Sequence, residues 1–145
     1  MVSGLDALYQ DRLLELAGKI ARNGHEVDTP TSEGSAYSAA CGSKLTVRVR
    51  IEEGRITDYG QDVDACALGS AAASVVGANV VGLTIAEVRT GHDQLKAMLK
   101  SGGPPPTGAF EEMKLLEGAR DFTNRHGSML LAFTALEKAF KSAGY

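Results

Sequence analysis

One stretch about a third of the way along the chain restricts its fold more than any other. From Lys44 to Glu52, Leu45, Val47, Val49 and Ile51 alternate strictly with Lys44, Thr46, Arg48, Arg50 and Glu52. A period of two puts the aliphatics on one face of a strand and the polar and charged residues on the other, so the sheet has a buried face and a wet one. Glu53-Gly54 supplies a turn, and Arg55–Tyr59 returns as the antiparallel partner. A third strand is predicted near 36–40, entered from a loop at 28–36 rich in Thr, Ser, Pro and Gly.

Helices surround this meander. Leu5, Leu8, Leu13, Leu16, Ala17 and Ile20 recur at helical spacing over 5–21, with Asn23-Gly24 as the stop. Residues 67–81 are dense in Ala, Ser and Gly, the composition of a helix that packs closely on a sheet. Thr84-Ile-Ala-Glu87 has the capping-box pattern and opens a helix carrying Ile85, Val88, Leu95, Met98 and Leu99. Ser101–Pro106 breaks the chain, and two further helices are predicted near 110–120 and 126–142. Strands followed by helices predict an α+β fold, a three-stranded antiparallel sheet packed by helices, in one domain spanning 1–145.

Composition narrows the function. The apolar fraction of 43% suits one core, and aromatics at 6% with no Trp leave its packing to aliphatics and Ala. A net charge of −3 without a basic run argues against nucleic acid as a partner. No stretch approaches the roughly 18 apolar residues of a membrane span, and no secretory signal opens the chain. A cytoplasmic protein with no membrane partner is expected. Nothing has the form of a phosphate loop, a dinucleotide fingerprint or a Ser/His/Asp constellation, so the chain is not read as an enzyme.

Two cysteines remain, Cys41 and Cys66, and without export a structural disulfide between them is not expected. Small buried hydrophobes are the plain reading of such residues. Their placement favours another. Cys41, beside Gly42, precedes the alternating strand, and Cys66 immediately precedes the Ala-rich helix. A helix N-terminus lowers a thiol's pKa and favours the thiolate, the form that binds metals and attacks sulfur.

Ordered segments along almost the whole chain, from about Leu8 to Phe140, resemble the U-type iron–sulfur cluster assembly scaffolds, which include SufU-like proteins and the N-terminal domain of nitrogen-fixation scaffolds. They are the Leu8-Tyr9 helix, Arg22-Asn23-Gly24, Ala40-Cys41-Gly42, the run Ala65–Ser74, Leu116–Phe122 and Arg125–Leu136. The resemblance implies a scaffold or carrier that accepts sulfur and iron at Cys41 and Cys66 and holds a labile iron–sulfur cluster. It implies a cysteine desulfurase and cluster-acceptor proteins as partners, zinc as an alternative occupant, and a homodimer as one way to complete the site.

The departures matter as much. The family pattern Cys-Gly-Asp stands here as Cys41-Gly42-Ser43, and gapless matching puts Ser128 where the family has a third Cys. A shift of two residues would offer His126 instead. The candidate metal positions are therefore Cys41, Cys66, Ser43, Ser128 and His126. Neutral hydroxyls replace an anionic carboxylate and a thiolate, so the formal ligand charge falls from −4 to −2 and one chain should hold metal more weakly. A member that binds assembly partners without holding a cluster is the alternative, and a thiol enzyme using Cys66 as nucleophile or persulfide carrier is a third. His25 is read as a helix-end cap, His92 as a half-buried core histidine, and Asp62 and Asp64 as solvated strand-end carboxylates.

Overall fold

The computed structural model describes the backbone of residues 4–145 and side chains from Tyr9 onward. The expected packing of Leu5 and Leu8 lies outside the described side chains. Strands β1 (Ser32–Ser38), β2 (Ser43–Glu52) and β3 (Arg55–Asp64) form an antiparallel sheet in the order β1-β2-β3. Helices α1 (Gly4–Gly18), α2 (Ala67–Asn79), α3 (Ile85–Ser101), α4 (His126–Met129) and α5 (Leu131–Ser142) accompany it. The architecture is the α+β arrangement that strand and helix order predicted.

The alternation in β2 becomes burial directly. Val47 and Val49 are fully buried and Leu45 and Ile51 nearly so, in one hydrophobic core with Val76, Leu136 and Phe140. Glu53 and Gly54 both take positive φ, the geometry of a tight hairpin whose twist matches its strands. Helix α5 packs along β1 and β2, while α2 packs against α1 and β3.

Several boundaries differ from expectation, each for a local reason. The first strand is Ser32–Ser38 rather than 36–40, so most of the expected loop is strand. Its inward residues are Gly34, Ala36 and Ser38, small because α5 packs on β1 and Gly127 of α4 closes on Ser38. A Cβ on Gly34 would come within 2.1 Å of the Ala135 carbonyl oxygen. β3 runs five residues past Tyr59, to Asp64, because buried Gln61 is fully satisfied. Its amide accepts from the Tyr59 hydroxyl (2.8 Å) and donates to the Ala21 and Ala73 carbonyls (2.9 Å each). Those bonds, with Ser74 accepting from the Ala21 N–H, draw the segment after Gly18 out of the helix, so α1 ends before Ala21.

The helix expected at 110–120 is a 3₁₀ segment, Gly108–Ala119, kinked at Phe110 (φ −103°, ψ 19°). The Phe110 ring sits edge-on to Phe133 at 5.0 Å and against Gly91, whose missing Cβ leaves it room. The helix expected over 126–142 is broken at Leu130 (φ −91°, ψ −3°) into α4 and α5. The Thr84–Glu87 capping box forms as predicted. Among the described residues no helix is long and apolar enough to cross a membrane.

Candidate functional site

Three connections meet at one end of the sheet. The first is the turn between β1 and β2, where Gly42 (φ +69°) reverses the chain and carries Cys41. The second is the junction of β3 and α2, where Cys66 is the N-cap residue in extended geometry (φ −64°, ψ 171°). The β2–β3 ladder reaches Lys44–Asp64 at this end, which delivers the two junctions side by side. The third is α4, which brings in Ser128. Gly69 permits that approach, because a Cβ there would lie 2.2 Å from Ser128 Oγ.

The side chains form a continuous chain of polar contacts. Cys41 Sγ lies 3.5 Å from Ser38 Oγ and 3.4 Å from Ser43 Oγ. Ser128 Oγ donates to Ser43 Oγ at 3.0 Å and lies 3.4 Å from Cys66 Sγ. The Cys66 backbone N–H donates to Ser43 Oγ at 3.4 Å. The three serines are buried, whereas both cysteines are free thiols with partial solvent access. Buried hydroxyls beneath accessible sulfurs can stabilise negative charge on those sulfurs without themselves meeting solvent.

Both thiols are shifted toward the thiolate. Hydrogen bonding with Ser38 and then with Ser43 lowers the Cys41 pKa to about 6, against an opposing effect of burial. At Cys66 burial opposes ionisation, but the Ser128 hydroxyl, the backbone amides of Gly69 and Leu68 and the Arg125 charge together lower its pKa. The helix N-terminus argument for Cys66 therefore has its physical basis in those two amides. Cys41, without a helix, is served by serine hydroxyls. Ser38 escaped the sequence reading, although its parity with Gly34 and Ala36 on the inner face of β1 is a signal of a buried polar group.

The structure thus brings together Cys41, Cys66, Ser43 and Ser128, and leaves His126 apart. The His126 ring is buried, and its Nε2 donates to the Arg120 carbonyl at 2.6 Å, which commits that nitrogen to the backbone. His25 does not cap α1; it pairs with Asp58 at 3.1 Å, where Arg22 also binds. His92 stacks on Phe133 at 5.3 Å, and burial lowers its pKa, as suits a half-buried core histidine. Asp62 pairs with Arg48 across the wet face, and Asp64 ends β3 exposed.

Among the described residues no three His, Cys, Asp or Glu side chains group closely enough to hold a metal ion. A resident zinc wants four donors, commonly thiolate, imidazole or carboxylate. Two thiolates and two neutral hydroxyls within one chain do not fit it.

The sequence profile of the NifU-like N terminal domain matches residues 8–127. The chain is 21% identical over 134 residues to the iron–sulfur cluster assembly scaffold protein IscU of Thermotoga maritima, covering 92% of this chain and 93% of that one. The crystal structure of a nitrogen-fixing NifU-like protein (N-terminal) from Brucella abortus superposes with a TM-score of 0.90 at 39% identity, covering 98% of each chain. The SUF-system protein FiSufU from Fervidobacterium islandicum shares the fold, with a TM-score of 0.81 at 17% identity over 94% of this chain and 98% of that one. The site that converges at the sheet end therefore sits on a known framework, and the chain belongs to the NifU-like N-terminal domain family, the U-type scaffolds of iron–sulfur cluster assembly.

Proposed function

We propose that this chain accepts sulfur and iron at Cys41 and Cys66 and carries a labile iron–sulfur cluster as cargo, handing it on without retaining it. The observation that carries this reading is the convergence of both thiols, each with a lowered pKa, on one partly open face above buried serines. Thiolates are the usual protein ligands of iron–sulfur clusters. Two per chain supply half of the common four, so a cluster bridging two copies, each giving Cys41 and Cys66, completes the set. Partial exposure suits both loading and release. The partners this implies are a cysteine desulfurase that delivers sulfur and acceptor proteins that take the cluster, all in the cytoplasm, with the chain acting as a carrier rather than an enzyme.

Anaerobic reconstitution with ferrous iron and sulfide tests this. Visible charge-transfer absorption is expected from the wild type and is expected to vanish in the Cys41→Ala, Cys66→Ala double variant. Absence of absorption in the wild type, or its survival in the double variant, overturns the reading.

One observation favours a second reading, a family member that binds assembly partners without holding a cluster. Ser43 and Ser128 are buried and hydrogen-bonded to each other where the family pattern has a carboxylate and a thiolate. Capture of a purified cysteine desulfurase with equal affinity by the wild type and the double variant, with no reconstituted absorption in either, is the outcome that selects it.

A further inference from the structure

The two thiols are neighbours through shared partners. Ser43 Oγ is 3.4 Å from Cys41 Sγ and 3.4 Å from the Cys66 backbone nitrogen, and Ser128 Oγ is 3.0 Å from Ser43 Oγ and 3.4 Å from Cys66 Sγ. The last rung of the β2–β3 ladder, Lys44–Asp64, lies immediately below both junctions. Among the described residues no third histidine, cysteine or carboxylate joins the pair. Within one chain the two sulfurs therefore have each other, and no third such side chain, as the nearest reactive partner group.

A disulfide needs Cα atoms within about 4.4–6.8 Å and a defined torsion. Cys66 is fixed as the N-cap of α2, but Cys41 rides a turn outside the strands. Gly42 beside it has φ +69°, and a Cβ there would meet nothing within 4 Å, so this turn is not packed against the rest of the fold at that point. Cys66 stands at the N-terminus of α2 as a free thiol partly open to solvent, which leaves its sulfur accessible for attack.

We propose that Cys41 and Cys66 form a dithiol–disulfide couple that reduces sulfur carried on Cys41 to sulfide. The inference rests on the reading of Cys41 as the sulfur acceptor. With a persulfide on Cys41, Cys66 gives up its proton to water and its sulfur attacks the sulfur bonded to Cys41 Cβ. The bond between that sulfur and the terminal one breaks, a Cys41–Cys66 disulfide forms, and hydrosulfide leaves with the bonding pair. The two cysteines together lose two electrons and the terminal sulfur gains them, so no external electron donor enters this step. A dithiol reductant then returns the disulfide to two thiols. The serines that weaken metal binding thereby leave a site able to turn sulfane sulfur into the sulfide that clusters contain.

The test uses the full chain, made anaerobic and treated with inorganic polysulfide, with intact mass and released hydrosulfide followed in time. Cys66→Ser should gain about 32 Da and hold it, whereas the wild type should pass through that species to a product about 2 Da lighter than the dithiol. About one hydrosulfide per chain should appear with the wild-type product, and Cys41→Ser should neither load nor close. A wild type that holds the added sulfur without closing overturns this inference and leaves the acceptor reading intact. Failure of Cys66→Ser to load overturns both. A parallel titration in glutathione redox buffers examines the couple without persulfide: both thiols should be lost together as one intramolecular disulfide. Independent oxidation of the two, or none, also overturns the inference.

Discussion

Restoring the two missing anionic positions should convert this site into a zinc site within one chain. In Ser43→Asp, Ser128→Cys the contacting groups become three thiolates and a carboxylate, formal charge −4 in place of −2. Ser43 and Ser128 are 2% and 1% exposed and lie 3.4 Å from the Cys41 and Cys66 sulfurs. Without metal, a carboxylate at position 43 is buried beside a thiolate and displaces the Ser43–Ser128 hydrogen bond, at a cost of several kcal/mol. Zinc at about 100 times its dissociation constant returns about 2.7 kcal/mol. For a chain of this size about 2–4 °C accompanies each kcal/mol, so a zinc-dependent rise of roughly 5–10 °C is expected. Thermal unfolding with zinc and with a chelator measures it. The wild type should show no comparable response. A double variant indifferent to zinc would refute the convergence of these four positions, and an equal rise in the wild type would refute the view that two thiolates are too few.

Other perturbations probe the remaining parts. Cys41 alkylation by iodoacetamide should fall to half its plateau rate near pH 6; Ser38→Ala, which removes the largest cause of that lowered pKa, should move the midpoint upward, as alkylation–mass spectrometry would show. Because a lowered pKa keeps the thiolate to more acidic pH, reaction at pH 7 should be near its maximum, and a midpoint above 8 would contradict the assignment. Gly34→Ala should destabilise by about 1–3 kcal/mol or more in urea unfolding, since the added Cβ meets the Ala135 carbonyl at 2.1 Å. Tyr59→Phe should cost about 1–3 kcal/mol by leaving buried Gln61 Oε1 without its donor, and a neutral result would show that the network reorganises.

Much of the framework was legible where hydrophobicity alternates. Lys44–Glu52 reads as a half-buried strand because its core face is made of large aliphatics, and the Thr84 capping box reads from its two interlocking side chains. β1 was displaced because its core face is Gly34, Ala36 and Ser38. There the requirement is smallness beneath α5, which leaves no hydrophobic periodicity to follow. The extension of β3 was hidden by Gln61, a polar residue whose burial depends on partners forty and twelve residues away in the chain. At the site, Cys41 and Cys66 stood out by chemistry and position, and Ser43 and Ser128 by family pattern. His126 was offered by a two-residue shift of the family pattern, and its Nε2 turns to the Arg120 carbonyl. Ser38 needed the strand's true register before its inward parity had meaning.

Among all these tests, the native mass of the anaerobically reconstituted protein bears most directly on the central claim. The account predicts two chains carrying one cluster, with acid-labile sulfide in proportion and with complete loss in the Cys41→Ala, Cys66→Ala variant. A cluster bound stoichiometrically to a single chain, or one retained without these two thiols, would contradict it.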